Sequence, residues 1–206
     1  MKPSTLQDSR LILLFLTRIS SWLESIIKIR FKLRYLIYRI KYQLPSDFRF
    51  NGLDVIIYGE GKLSIGERCY IGRHSSLQIS EDSKITIGKQ VSISHYVSLY
   101  TEKHQTDKDF SNEDTIVSSD IEIGDYCWIG IKSTIVGPVK IGENTIISSN
   151  SLVNRNIPPH AICMGIPVQV VKFKPYLQID TQIKLAREYR SVISPKLLEK
   201  LGIGRE

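Results

Sequence analysis

Three cysteines and four histidines are the side chains of this 206-residue chain best equipped for metal or nucleophilic chemistry. Cys69, Cys127 and Cys163 lie far apart and form no CxxC pair. That argues against a zinc site of the usual kind and against a disulfide framework, and it points to a reducing compartment. Of the histidines, His104 stands out. It lies in "LYTEKHQTDKDF", Leu99 to Phe110, a charged stretch that matches neither a strand nor a helix template and separates two stretches of regular text. An imidazole can move protons near neutral pH, but a lone loop histidine carries no chemistry until the elements that position it are known.

Those elements are written in a six-residue period. Aliphatic residues recur at Ile65, Ile71 and Leu77, then at Ile87, Ile93 and Leu99. They return at Ile123, Ile129, Ile135, Ile141, Ile147 and Val153. A glycine follows directly at Gly66, Gly72, Gly88, Gly124, Gly130 and Gly142, and except after Leu77 and Leu99, where the repeat is interrupted, the residue four positions on is small or β-branched, as at Cys69, Ser75, Val91, Cys127, Ser133 and Thr145. Neither the helical nor the strand period explains six. A hexapeptide repeat does: each hexad is one short strand and a turn, and three hexads close one coil. The predicted fold is an all-β solenoid, with the aliphatics inside, the small residues leaving room, and glycine permitting close turns. Cys69 and Cys127 then read as small interior residues. The interval from Leu77 to Ile87 holds a minor loop around Glu81–Ser83. The interval from Leu99 to Ile123 is a multiple of six, so residues 101–119 read as a loop ejected from the wall while the coil keeps phase. Solenoids carry such insertions on one face, often the binding face.

In "VSLYTEKH", "IEIGDYCWIG" and "NIPPHAICMGIPVQVVKFK" the chain resembles the left-handed parallel β-helix acyltransferases. The group is that of the maltose, galactoside and nodulation-factor O-acetyltransferases and those of capsule and surface polysaccharides. The resemblance covers roughly residues 65–174. It implies acetyl-CoA as co-substrate, no metal, and a homotrimer with active sites between subunits. His104 takes the place of the general base, which accepts the proton of a sugar hydroxyl as it attacks the thioester; transfer is direct, in a ternary complex. The developing oxyanion needs a donor, commonly a backbone N–H of a neighbouring coil. Carried over by position, the coenzyme groove involves Trp128, Gly130 and Ile131, then Ser149, Asn154 and Arg155, with Lys172 or Lys174 near the phosphates. The chain departs from the family's pattern with "SSNS", "VNRNIPP" and Gln169. Tyr70, His74, His95, Tyr100 and Asp107 are the acceptor-site candidates, and Asp107 or Glu102 would orient His104. His95 and His160 also have a purely local structural reading.

The resemblance implies an O-acetyltransferase acting on a sugar of a surface polysaccharide or of its lipid-linked precursor. Alternatives on the same fold are an amino-sugar N-acetyltransferase and a serine O-acetyltransferase. A zinc hydratase of this fold needs a close His-x4-His pair, which the four histidines do not contain. A non-catalytic scaffold is the alternative of another class.

The net charge of +7 has one location. Residues 1–44 hold nine Lys/Arg against Asp8 and Glu24, while basic and acidic residues cancel in the remainder, so the body shows no bias toward nucleic acid. Phe15, Ile19, Trp22, Ile26, Ile29, Leu33, Leu36 and Ile40 alternate in steps of four and three, the helical period. Lys28, Lys32 and Arg39 flank that stripe on one side, and Arg30, Arg34 and Lys41 on the other. Such a helix suits a membrane interface through residues 10–42, packing on the protein body or between subunits, or, least of these, nucleic acid. The apolar run Leu11–Leu16 is too short to span a bilayer and has no cleavage site, so the expected location is cytoplasmic, peripheral at the inner face of the membrane. The expected organisation is a basic helical segment over 1–44, the β-helix domain over 45–174, and a helical tail over 175–206. In the tail, Ser194–Pro195 starts a second helix.

Overall fold

The computed structural model describes residues 4–111 and 115–204. Lys2 of the basic segment, residues 112–114 of the expected loop and the end of the tail at 205–206 lie outside the described residues. Two compact units emerge, Met1–Lys41 and Tyr42–Glu206. The first is a single helix, α1 (Ser4–Lys41). It stops well before Pro45, with Gln43 in the left-handed region at φ 47°.

In the second unit the chain visits three parallel sheets in rotation. Sheet I contains Lys62–Ile65, Lys84–Ile87, Ile121–Ile123 and Val139–Ile141. Sheet II contains Tyr70–Gly72, Ser92–Ile93, Trp128–Ile129 and Ile146–Ile147, and sheet III contains Ser76–Gln78, Ser98–Tyr100, Thr134–Val136 and Leu152–Val153. The repeat dictates the register. Ile65 pairs with Ile87, Ile71 with Ile93, and Leu77 with Leu99. Across the long interruption Ile87 still pairs with Ile123, Ile93 with Ile129, and Leu99 with Ile135. These aliphatics are buried, and each contributes about 1.5–3 kcal/mol by leaving water. One circuit precedes the hexad text: Arg49–Asn51 adds to sheet II and Ile56–Tyr58 to sheet III. Its connections are longer than six residues allow, which hid it from the periodicity.

The small residues do more than leave room. Ser75 Oγ donates to Ser94 O of the next circuit at 3.0 Å and accepts from Val97 N at 3.1 Å. Cys69 Sγ repeats this with Gly88 O at 3.0 Å and Val91 N at 3.2 Å. Cys127, Ser133 and Thr145 donate likewise to Gly142, Ser148 and Pro158. The position selects a small side chain that can stitch one circuit to the next.

The glycines serve stacking and not the turn expected of them. A Cβ on Gly142 would stand 2.3 Å from Pro159 N, and one on Gly130 2.5 Å from Ser149 N. The left-handed backbone falls instead on non-glycine residues at the connections. His74, Tyr96, Lys132 and Asn150 occupy it between sheets II and III; Arg68, Gln90, Tyr126, Asn144 and His160 occupy it between sheets I and II. Each costs about 1–2 kcal/mol, offset at all of them but Arg68 by a hydrogen bond from its N–H to the preceding circuit, such as Lys132 N to His95 O at 3.1 Å.

The last circuit closes on an antiparallel strand, Gln169–Phe173, paired with Ala161–Met164. After α2 (Ile179–Glu188), Ser194 donates its N–H to Val170 O and caps α3 (Pro195–Lys200) by accepting from Leu197 N. Leu197, Leu201 and Ile203 are buried, so this tail covers the end of the sheets within the same compact unit.

Candidate active site

Between sheets III and I the chain leaves the circuit at Thr101 and returns at Ser119, whose N–H donates to Thr101 O at 2.7 Å. The excursion is not irregular at its base. Glu102–His104 and Ile116–Ser118 form an antiparallel ribbon with His104 opposite Ile116. The polar text "EKH" hid this strand. His104 is exposed, and its Nδ1 lies 2.9 Å from Oγ1 of the buried Thr115. Phe110 leans on the imidazole with ring centroids 5.5 Å apart. A short antiparallel ribbon, one anchored nitrogen and an aromatic neighbour thus hold the ring, leaving Nε2 as the atom without an assigned task.

The acidic partner expected for His104 is a different group. Glu102 is committed elsewhere: its Oε2 accepts from Ser80 Oγ at 2.7 Å and from Gln78 Nε2 at 3.0 Å. Asp107 is exposed farther out on the loop. Tyr100 stands on the last sheet III position before the ribbon, with Gln78 and Tyr58 beside it in register. Burial pushes the Tyr58 phenol up, and the proximity of Tyr100 and Glu102 adds to it. A polar row of Tyr58, Gln78 and Tyr100 on sheet III therefore leads to Glu102, the first residue of the ribbon that carries His104. Tyr58, Gln78, Thr115 and Phe110 were missed in the sequence, because none sits at a position the hexad marks.

A second group gathers where sheet II passes into sheet III. Trp128 projects from sheet II, 50% exposed, with Nε1 donating to Ser94 Oγ at 3.2 Å. Ile131 and Ser149 are exposed at the connection, whereas Gly130 is buried beneath Ser149. Lys132, Thr134, Asn150 and Ile166 line a groove of about 300 Å³ beside them. Ile166 is 72% exposed. An indole face, two exposed isoleucines and interspersed amide, hydroxyl and ammonium groups suit an extended arm that is apolar and amide-bearing by turns. Lys132 is a further residue the sequence reading missed.

His95 belongs to this neighbourhood. The backbone N–H of Arg73 donates to its Nδ1 at 3.0 Å, so Nδ1 is an acceptor and the neutral ring carries its proton on Nε2. A Cβ on Gly72 would meet that Nδ1 at 2.5 Å, which explains glycine there. His95 can donate from Nε2 but cannot act there as a base. His74 stacks on Tyr96 at 4.8 Å and lies 3.2 Å from Asp54 Oδ2. Tyr70 is on sheet II, half-buried under the Arg49 guanidinium.

The remaining candidates lie elsewhere. Asn154 and Arg155 are exposed between sheets III and I, and Arg155 Nη1 donates to Ser191 O of the tail at 2.8 Å. Lys172 and Lys174 are at the terminal strand of sheet II. His160 meets Tyr176 at 3.1 Å and Glu143 at 3.7 Å, a docking point for the tail. Within one chain His104 and the groove of Lys132, Thr134, Asn150 and Ile166 sit at opposite ends of the sheet III strands. Three extended residues keep those ends ~10 Å apart before side chains and turns are added. One copy does not bring them together.

Cys69, Cys127 and Cys163 are buried free thiols. Burial raises all three, Cys127 to about 11, so none offers a thiolate near neutral pH. Among the described residues, no three His, Cys, Asp or Glu side chains group as a metal site.

Residues 120–155 match the hexapeptide family of bacterial transferases (six repeats). The chain is similar to galactoside O-acetyltransferase of Escherichia coli K12, 33% identical over 113 residues, covering 53% of this chain and 56% of that one. It is also similar to WcaF of the same strain, provisionally named a colanic acid biosynthesis acetyltransferase, 30% identical over 111 residues and covering 54% and 58%. The chain thus spans little more than half the length of these curated relatives. Among solved structures, a hexapeptide-repeat acetyltransferase of Vibrio cholerae complexed with acetyl coenzyme A superimposes with a TM-score of 0.58 at 23% identity, over 69% of this chain and 76% of that one. That likeness establishes a shared fold.

Proposed function

We propose that this hexapeptide-repeat protein is an acetyl-CoA-dependent O-acetyltransferase, built on a left-handed β-helix, that acylates a sugar hydroxyl of a surface polysaccharide or of its lipid-linked precursor. The observation that carries the proposal is His104 at the outer end of the two-stranded ribbon, exposed, with its Nδ1 held against Thr115. The names of the curated relatives support the reaction class, and WcaF supports the glycan context.

With Nδ1–H donating to Thr115 Oγ1, Nε2 keeps the lone pair that a base requires. It accepts the proton of the acceptor hydroxyl as that oxygen bonds to the acyl carbon. The imidazolium so formed returns a proton to the departing sulfur. Acetyl-CoA supplies the acyl group as a thioester, whose thiolate leaves readily. Tyr58 and Tyr100 offer phenol groups of the kind that hydrogen-bond a sugar, beside the Gln78–Glu102 pair.

The groove of Lys132, Thr134, Asn150 and Ile166, with Trp128, Ile131 and Ser149 at the neighbouring connection, receives the pantetheine arm. Because that groove and His104 are at opposite ends of sheet III, the reading requires a neighbouring copy, and a homotrimer places the ribbon of one subunit over the groove of the next. Arg155, Lys172 and Lys174 remain candidates for the phosphates.

The test follows thiol release from acetyl-CoA with free sugars, amino sugars, serine and extracted lipid-linked glycans. Sugar-dependent turnover that collapses in His104→Ala, with coenzyme A binding retained, is the expected result. Full activity in that variant removes His104 as the base; turnover with serine or an amino sugar and none with the other sugars or glycans replaces the sugar hydroxyl as acceptor.

A further inference from the structure

Helix α1 is an apolar surface without a place in the acyl-transfer reading. Leu33, Leu36 and Ile40 are exposed along one side, Ile40 at 72%, and Trp22 continues the stripe at 64%. The opposite side, with Phe31, Tyr35 and Tyr38, is half-buried, its rings in contact at 6.2 and 6.5 Å. No helix among the described residues is long and apolar enough to cross a membrane. The stripe must therefore meet its partner lengthwise.

Charge distinguishes the partners. The cationic shoulders, Lys28 and Lys32 on one edge and Arg30 on the other, carry almost no acidic complement; Glu24, 4.0 Å from Lys28, is the one carboxylate among residues 10–44. If the stripe of one copy packed on that of another, both flanking edges would bring cation against cation. An anionic bilayer surface reverses that sign: the apolar side chains enter the acyl boundary while the ammonium and guanidinium groups stay among the phosphates. We infer that α1 is an interfacial anchor that lays its Trp22–Ile40 stripe into the surface of a membrane rich in anionic phospholipid. This inference is independent of the catalytic reading, since it can be tested without turnover.

The experiment is vesicle flotation of the full chain with phosphatidylcholine alone and with about 30% phosphatidylglycerol added. Binding is expected to the anionic vesicles, to be weak on the neutral ones, and to fall severalfold at about half-molar salt as the surface potential is screened. Trp22 and Trp128 are the only tryptophans, so in a Trp128→Phe background a blue shift on binding reports insertion of Trp22 itself. Lys28→Glu/Arg30→Glu/Lys32→Glu, all at solvent-facing positions, should reduce binding at least about tenfold with an unchanged melting temperature. Leu33→Ser/Leu36→Ser should abolish the Trp22 shift. Equal binding to neutral vesicles, or retention by the charge-reversal variant, overturns the inference. So does a stripe variant that changes the oligomer's size while leaving vesicle binding intact, which would make the stripe a contact between copies. Binding to a duplex DNA probe with none to vesicles overturns it in favour of nucleic acid.

Discussion

A hydroxyl against Nδ1 orients an imidazole without adding a negative charge beside it, which sets Thr115 apart from the carboxylates expected to hold His104. Its contribution is positional. Thr115→Val keeps the volume and deletes the hydrogen bond; kcat should fall about tenfold with KM little changed, as expected when a reacting group loses orientation. Thr115→Ser should restore most of the rate, a pattern that a purely structural threonine would not show. His104→Ala should cost about 10²- to 10⁴-fold in kcat, the usual worth of a general base, measured by thiol release. His95 illustrates the opposite assignment at the same scale. Its Nδ1 accepts a backbone N–H, so its free nitrogen can only donate, and no reading of the residue type alone could have separated the two histidines.

The hexad is held by two devices: the glycine that clears the next circuit and the small residue that bonds to it. Gly142→Ala forces a Cβ to within 2.3 Å of Pro159 N, backbone that cannot swing away, and should destabilise by about 1–3 kcal/mol in chemical denaturation. Cys127 makes the second device titratable. Its folded-state thiol is pushed up to about 11 from an ordinary value of 9.0. The unfolded chain therefore ionises first, and the stability this thiol supports is fully present below about pH 9 and lost as pH rises toward about 11. Cys127→Ser fits a position that Ser75 and Ser133 already fill elsewhere, and it should flatten that part of the stability–pH curve relative to wild type. Ellman's reagent should find essentially no reactive thiol in the native protein near neutral pH and all three after denaturation.

At the scale of the molecule, the division of the site across sheet III has a consequence that single variants cannot reveal. A His104→Ala copy retains an intact Trp128 groove, and a Trp128→Ala copy retains an intact His104. In the proposed homotrimer, refolding the two variants together in equal amounts should pair the two intact halves at roughly a quarter of the interfaces and recover that share of wild-type turnover. Each variant alone should remain impaired. No recovery in mixed oligomers of confirmed composition would place both halves of the site within one copy.

The repeat was legible because its information is local and redundant: every hexad states the same inside residue, the same clearance and the same bond. The register could therefore be read across the Leu99–Ile123 gap before any contact was known. The circuit at 49–58 was not legible, since its lengthened connections break the six-residue count. His104 could be located by its place between repeats and by family likeness. Its surroundings could not. Thr115 lies eleven residues away across a ribbon whose strands are polar, and Tyr58 and Gln78 arrive from earlier circuits by stacking. By itself the sequence determined which side chains face inward and where the wall is interrupted, because burial repeats with the chain. Only the tertiary structure decided which nitrogen of each histidine is engaged and that the two halves of the candidate site stand apart, because those depend on residues brought together from distant parts of the chain.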